Sequence, residues 1–267
     1  MSKAPTKIMH VHFWDNALLQ KGSVDKVISA FARMDQPDIQ VTVACLGAGS
    51  SVRVDEAIFH FFSEDWFKNR IANKILGLNA FTFSRLTSLI NEESPELLHI
   101  HNRHALVGKL LARLRYRPRV LCHYHRKFGT FVVPPEADAL IAVSLAVRDA
   151  LIAAVHPRMP VEVLYNPVPL APGEVPIRPA GKPCLLYGGG RQENKGFFEL
   201  EAALADGLAE QFNVVLCGPG FEGYQPTFPA RVAGLLPSAD FLAELRVADV
   251  IAMPSHHEGV SILALEA

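Results

Sequence analysis

Short apolar runs recur along the chain and alternate with stretches that have helical spacing, such as Val24–Met34. The runs are rich in valine, isoleucine and leucine, which is typical of strands buried on both faces. Alternation of this kind predicts parallel sheets covered by helices, an α/β fold. The predicted strands of the first half are Ile8–Phe13, Val41–Leu46, Leu97–His101, Val120–His125, Ala139–Val143 and Val161–Tyr165.

Prolines crowd into the segment from Pro167 to Pro183, where few residues favour helix or strand. Because proline fixes φ, this segment predicts a semi-stiff linker at 169–183, between a first domain at 1–168 and a second at 184–267. The alternating pattern then restarts, and a cleft is expected where the carboxyl ends of both sets of strands face each other. The predicted strands of the second domain are Cys184–Tyr187, Val214–Cys217, Arg231–Ala233 and Val250–Met253.

The final segment places two glutamates, Glu258 and Glu266, on a glycine-containing turn and a following apolar helix that begins near Ser261. A helix start offers unpaired N–H groups and a positive dipole end, which suit an anionic, phosphate-bearing ligand. The carboxylates can accept hydrogen bonds from hydroxyl groups. This combination points to sugar chemistry, against the alternative of two solvated surface glutamates.

A second segment has a strand, three glycines at 188–190, and two cations, Arg191 and Lys195, ahead of a predicted helix at Phe197–Leu208. Glycines let the backbone approach a ligand closely, and the cations stand next to a helix start. An ordinary strand–turn–helix joint with two surface cations is the alternative.

Together and in this order, the two segments resemble the family-four retaining glycosyltransferases of the GT-B fold. The resemblance implies two Rossmann-like domains with parallel sheets. It also implies transfer of a hexose from a nucleotide-sugar donor to a glycan or glycolipid acceptor, for example in lipopolysaccharide or other surface-glycan synthesis. Further matching segments are Leu98–His101, Ala139–Ser144, Val163–Val168, Val214–Gly220 and Arg231–Leu236.

The resemblance also implies roles for residues of the second domain. Glu266 would bind the ribose hydroxyls of the donor, and Glu258 would lie against the donor sugar. Arg191 and Lys195 would hold the diphosphate and offset the charge that develops as it leaves. Further nucleotide-sugar-binding positions would be the backbone of Gly218, Gly259, Val260 and Ser261.

In the first domain, the resemblance implies a phosphate-approaching turn at Gly22 and a histidine beside the transferred sugar, His125 or less favourably His123. The histidines come in alternating pairs, so that each pair lies on one face of a strand. We expect three of them to be hydrogen-bonded core residues instead: His10, His12 and His99.

The chain ends one residue after Glu266, where the family normally continues for several helices. We therefore expect the second domain to be incomplete. A nucleotide-sugar-binding fragment without turnover remains an alternative to an active transferase.

Composition describes an ordinary globular protein, with 49% hydrophobic and 20% charged residues. The net charge of −1 gives no reason to expect nucleic acid binding. Four cysteines stand singly, and the N-terminus lacks a signal peptide, which favours reduced thiols in the cytoplasm. No Asp-x-Asp sequence occurs, so the prediction is diphosphate binding without a metal or any other cofactor.

From Leu97 to Pro135 there are eight lysines and arginines and no acidic residue. Lys109, Arg113 and Arg117 fall four apart on a helix-like stretch, and aromatic residues cluster at Phe59–Phe67 ahead of further cations (Lys68, Arg70, Lys74). These features predict peripheral contact with an anionic membrane on its inner face, against the alternative of a solvated basic surface.

Two other enzyme classes fit less well. The glycine pattern at 218–223 matches a dinucleotide fingerprint, but prolines follow where its helix should start. The His10-x-His12 pair could serve a metal-dependent hydrolase, but that hypothesis leaves the glutamates and the two cations unexplained.

Overall fold

The computed structural model describes residues 4–13, 23–33, 36–45, 51–61, 80–126, 130–156, 158–167 and 181–267. The chain divides into two compact units, Met1–Pro167 and Val168–Ala267. The predicted turn at Gly22 and residues 168–180 of the linker region lie outside the described residues.

Unit 1 is built on one eight-stranded sheet in the order β3-β4-β2-β1-β5-β6-β7-β8, with all pairs parallel except β3 with β4. Its strands are β1 (Thr6–His12), β2 (Ile39–Cys45), β3 (Val52–Val54), β4 (Ala57–Phe61), β5 (Leu97–Ile100), β6 (Arg119–Tyr124), β7 (Ala139–Ala142) and β8 (Val161–Val163). Its helices are α1 (Ser23–Ala32), α2 (Ala80–Glu93), α3 (Val107–Leu111) and α4 (Leu145–Val155).

All six apolar runs predicted as strands in this unit are strands. Strands β3 and β4 were not predicted. The start of the aromatic segment Phe59–Phe67 lies on β4, and its buried residues cannot contact a membrane as the membrane hypothesis expected. Phe59 is fully buried, packed in one cluster with Ile28 and Val43, and His60 is also buried. Residues 62–79, which hold the other aromatics and cations of that segment, lie outside the described residues.

Unit 2 has a four-stranded parallel sheet in the order β11-β10-β9-β12. Because β10 and β12 flank β9 on opposite sides, the strand order reverses at β9, and ligands bind parallel sheets at such points. Its strands are β9 (Cys184–Tyr187), β10 (Asn213–Cys217), β11 (Arg231–Gly234) and β12 (Val250–Ala252). Its helices are α5 (Phe197–Ala205), α6 (Ser238–Val247) and α7 (Ile262–Glu266).

Helix α5 ends three residues earlier than predicted. Gly207 adopts a φ of +100°, which an L-residue rarely takes, and a short 3-10 turn at Leu208–Gln211 leads into β10. No helix follows β10 before β11, which excludes the dinucleotide-binding arrangement.

All four cysteines are free thiols, as predicted. Among the helices in the described ranges, none is long and apolar enough to cross a bilayer.

Candidate functional site

Three loops of unit 2 leave the carboxyl ends of neighbouring parallel strands: loop A (188–196) after β9, loop B (218–223) after β10, and loop C (253–261) after β12. Backbone hydrogen bonds join loop A to the β10 end, from Gly190 N to Cys217 O (3.1 Å) and from Arg191 N to Pro219 O (2.8 Å). A third, from His256 N to Asn194 O (3.2 Å), joins loop C to loop A. The three loops therefore form one connected edge.

Glycines at two positions allow this close approach. A Cβ on Gly218 (φ +117°) would lie 2.5 Å from the backbone nitrogen of Gly190. A Cβ on Gly196 (φ +67°) would overlap the carbonyl group of Pro254, 2.6 Å from its carbon. Loops A and B, and loops A and C, meet backbone to backbone at these points.

The structure brings together two of the residues predicted to form the site. Lys195 Nζ of loop A donates a hydrogen bond to Glu258 Oε1 of loop C at 2.7 Å, and each side chain is about one-third exposed (32% and 33%). An ammonium group that remains partly exposed can exchange a carboxylate partner for another anion, such as a phosphate group.

Arg191 of loop A is held by two aromatic rings that the sequence did not suggest. Its guanidinium carbon lies 4.9 Å from the ring centre of Tyr224 and 5.6 Å from that of Phe198. The Tyr224 hydroxyl donates a short hydrogen bond to Glu201. Burial, together with that hydrogen bond, raises the pKa of Tyr224, so the hydroxyl keeps the proton that it donates to Glu201. Cation–π contacts of this kind orient a guanidinium group and leave its N–H donors available.

Tyr187 supports loop A through its side chain, a role that the sequence analysis did not predict. Its side chain is buried, and its hydroxyl lies 2.8 Å from Gly190 O and 3.2 Å from Lys195 O. Burial raises the pKa of Tyr187 to about 12, so the hydroxyl keeps the proton that it donates to these carbonyl groups.

Helix α7 begins where the sequence predicted. Ser261 caps it, with Oγ accepting a hydrogen bond from Ala264 N (3.3 Å). Gly259 and Val260 are half-buried in loop C, and Glu266 is half-buried at the last residue of α7. Loop C and α7 thus hold all the glutamate-segment residues that the sequence suggested.

Unit 1 carries a cluster of buried histidines where β1, β5 and β6 end. His101 lies between two of them, with Nε2 2.8 Å from His10 Nδ1 and Nδ1 3.1 Å from His125 Nε2. His99 Nε2 lies 3.1 Å from His123 Nδ1. Burial lowers the pKa of His10 to about 4 and that of His125 to about 3, and it lowers the other three pKa values well below the usual range. These rings are neutral at neutral pH.

His10, His12 and His99 are hydrogen-bonded core residues, as expected. Both ring nitrogens of His12 have partners, Asp25 Oδ1 at 2.7 Å and Asn102 Nδ2 at 2.9 Å. His12 is therefore a hydrogen-bonded core residue, and a hydrolase that used the His10-x-His12 pair would have to break one of these bonds.

The prediction that Lys109, Arg113 and Arg117 lie on one face of a helix is wrong. Helix α3 ends at Leu111, and Arg113 lies beyond it in a turn. Arg117 instead donates hydrogen bonds to Glu136 O (2.6 Å) and Asp138 Oδ2 (3.2 Å). A proline follows Arg117 and disfavours helical φ and ψ there, so the three cations share no helix face.

The two largely parallel sheets, the loops at their strand ends and the cations Arg191 and Lys195 in one of those loops are consistent with an α/β protein of the GT-B glycosyltransferase class. Residues 24–171, more than half of the chain, match the family model described as Glycosyltransferase Family 4, and the chain belongs to this family. No curated protein sequence matches the chain significantly.

Solved structures share the fold at low sequence identity. A sucrose-phosphate synthase from Thermosynechococcus elongatus is 15% identical with a TM-score of 0.70, covering 98% of this chain and 78% of its own. The lipopolysaccharide outer core galactosyltransferase WaaB in its apo form is 15% identical with a TM-score of 0.59, at the same coverage. A trehalose-6-phosphate structure from E. coli bound with UDP-2-fluoro glucose is 11% identical with a TM-score of 0.63, covering 98% and 81%.

Proposed function

We propose that this glycosyltransferase moves a hexose from a nucleotide-sugar donor to a hydroxyl group of a glycan or glycolipid and retains the anomeric configuration. The observation that carries the proposal is the Lys195–Glu258 ion pair, in the same loop system as the aromatic-held Arg191, at the carboxyl edge of a parallel sheet. Among the similar structures, the ligand UDP-2-fluoro glucose and the galactosyltransferase activity of WaaB support this substrate class.

In the proposed reaction, the acceptor oxygen bonds to the anomeric carbon while the bond from that carbon to the diphosphate oxygen breaks on the same face. The acceptor proton passes to the departing diphosphate. Arg191 and Lys195 stabilise the negative charge that grows on the diphosphate, because cations fixed before the reaction cost no reorganisation when charge develops. Neither a metal nor another cofactor is needed for this step.

The remaining site residues complete the proposal. Glu258 and His125 contact the donor sugar, and Glu266 accepts hydrogen bonds from the ribose hydroxyls. The other nucleotide-sugar contacts are backbone groups of Gly22, Gly218, Gly259, Val260 and Ser261.

Glu266→Ala is expected to raise the dissociation constant of the bound nucleotide at least about a hundredfold, since two charge-assisted hydrogen bonds to ribose, each about 1.5–3 kcal/mol, are lost. Calorimetry of wild type with UDP, GDP and ADP first identifies the nucleotide that binds most tightly. The dissociation constant of that nucleotide is then measured for the variant. Glu222→Ala removes an exposed glutamate of loop B and should bind like wild type. Equal affinity of Glu266→Ala and wild type would refute the ribose assignment.

A turnover assay with matching nucleotide sugars belongs beside the calorimetry. Nucleotide binding with transfer supports the transferase proposal. Nucleotide binding without transfer would support the alternative of a binding fragment instead.

Contact with an anionic membrane stays a prediction. It is based on the exposed cations around α3, which do not share one helix face. Lys109→Glu with Arg113→Glu should reduce co-flotation with phosphatidylglycerol vesicles several-fold, because each cation near an anionic surface contributes about 1 kcal/mol. Lys182→Glu with Arg246→Glu, which reverses two exposed cations of unit 2, is the charge-matched control. Flotation that ignores lipid charge would contradict the prediction.

A further inference from the structure

The histidine cluster of unit 1 contains a group of three rings that converge on one point. His101, His123 and His125 each offer one ring nitrogen, and these nitrogens lie within 4.8 Å of one another. His101 and His123 are buried, and His125 is half-buried. His123 is on β6, and the other two follow the last residues of β5 and β6, which fixes their backbones on rigid elements.

Hydrogen bonds among the rings leave one nitrogen unsatisfied. A neutral imidazole has one N–H and one lone pair, so the His99–His123 contact uses one nitrogen of each ring. His123 Nε2 is buried and has no hydrogen-bond partner. Whether this nitrogen carries the proton or the lone pair, leaving it unsatisfied costs about 1–3 kcal/mol. The hydrogen bonds between the histidine rings therefore do not explain why His123 Nε2 is buried without a partner.

The chemistry of the group favours a borderline transition metal. Imidazole nitrogen is the ligand type that suits zinc, copper and nickel, whereas calcium and magnesium take oxygen ligands. Three histidines at about 2.0–2.1 Å leave a fourth tetrahedral position for water. In that geometry the ligand nitrogens would lie about 3.3 Å apart. Binding would require small rotations of the three rings and would replace the hydrogen bond between His101 Nδ1 and His125 Nε2.

We propose that His101, His123 and His125 bind one Zn²⁺ ion. The metal accepts the lone pair of His123 and thereby satisfies the nitrogen that the hydrogen bonds leave over. This site is built entirely from residues of unit 1 and uses none of the residues of loops A, B and C, so it goes beyond the transferase proposal. Since His125 is shared with the proposed sugar site, bound zinc should slow transfer instead of supporting it.

The test is zinc binding by the whole chain without donor or acceptor, so its outcome does not depend on the transferase proposal. Chelator-treated protein is titrated with Zn²⁺ against a chromophoric indicator, and Co²⁺ is added separately to look for the visible bands of a tetrahedral nitrogen site. Wild type should bind one equivalent, and His123→Gln should bind at least about tenfold more weakly.

His60→Gln is the matched control. His60 is also buried, and its Nε2 has no hydrogen bond but lies 3.5 Å from Glu93 Oε1. It lies on β4 and belongs to no three-ligand group among the described residues. It should bind zinc like wild type. If His123→Gln fails to fold by circular dichroism, His125→Gln at the half-buried end of the group replaces it.

Three results would overturn the proposal. The first is that wild type binds no equivalent of zinc tightly. The second is that His60→Gln loses as much zinc affinity as His123→Gln. The third is that zinc binding is lost in His256→Gln and kept in His123→Gln. His256 is an exposed residue of unit 2 that hydrogen-bonds Glu199, so the last result would assign the metal to that surface pair.

Discussion

Replacing Lys195 with alanine is expected to lower kcat for sugar transfer by about 10²–10³-fold, the loss seen when one preorganised donor to a developing negative charge is removed. The ammonium group is fixed by its 2.7 Å contact with Glu258 and by the backbone of loop A, which Tyr187 holds through the Lys195 carbonyl. Its position is therefore set before the donor arrives. Most of the effect should fall on kcat, because negative charge on the diphosphate grows as the sugar leaves.

Steady-state transfer measurements together with donor calorimetry separate the two effects. The dissociation constant of the donor should rise much less than kcat falls. Lys182→Ala, which removes an exposed lysine just ahead of β9, is the matched control and should keep wild-type kcat. If Lys195→Ala also keeps wild-type kcat, Lys195 does not stabilise the leaving group.

Gly196→Ala is expected to destabilise unit 2 by about 2–5 kcal/mol. Two costs combine: a left-handed φ of +67° costs an L-residue about 1–2 kcal/mol, and overpacking adds about 1–3 kcal/mol. The new methyl group would overlap the Pro254 carbonyl, which is backbone and cannot rotate away. Loops A and C would have to separate, so nucleotide binding should weaken as well.

Amide hydrogen exchange of peptides covering β9 and α5 measures this loss locally, without interference from unit 1. The control is Gly223→Ala, at an almost identical φ of +72° but with nothing within 4 Å of the new Cβ. It should cost only the backbone term, about 1–2 kcal/mol. Similar exchange rates in the two variants would mean that loops A and C do not depend on close contact at Gly196.

Strands were predictable where both faces are buried, because such strands are continuous apolar runs. β3 and β4 escaped because β3 is only Val52–Val54 and exposed in part, and β4 mixes a histidine among its aromatics. The basic helix was predicted from the leucine spacing around Lys109. That spacing does not reveal that Arg117 hydrogen-bonds Asp138, the residue directly before β7.

The candidate site was predictable where residues are close in sequence to a glycine turn or a helix start. Lys195 and Glu258 were each found this way, and their contact brings distant segments together. Tyr187, Phe198 and Tyr224 were missed because their function depends on packing under or beside Arg191 and loop A. Nothing in the local pattern separates such aromatics from ordinary core residues.

The Lys195–Glu258 contact has a consequence for anion selectivity. Glu258 acts as an internal competitor, since any ligand that reaches the ammonium group must first displace a carboxylate already in contact with it. A singly charged anion such as chloride gains little from that exchange. Under the proposed function, a diphosphate, with more charge and with Arg191 to bind at the same time, would gain enough to replace Glu258. The displaced carboxylate would then be free to accept a hydrogen bond from a hydroxyl group of the donor sugar.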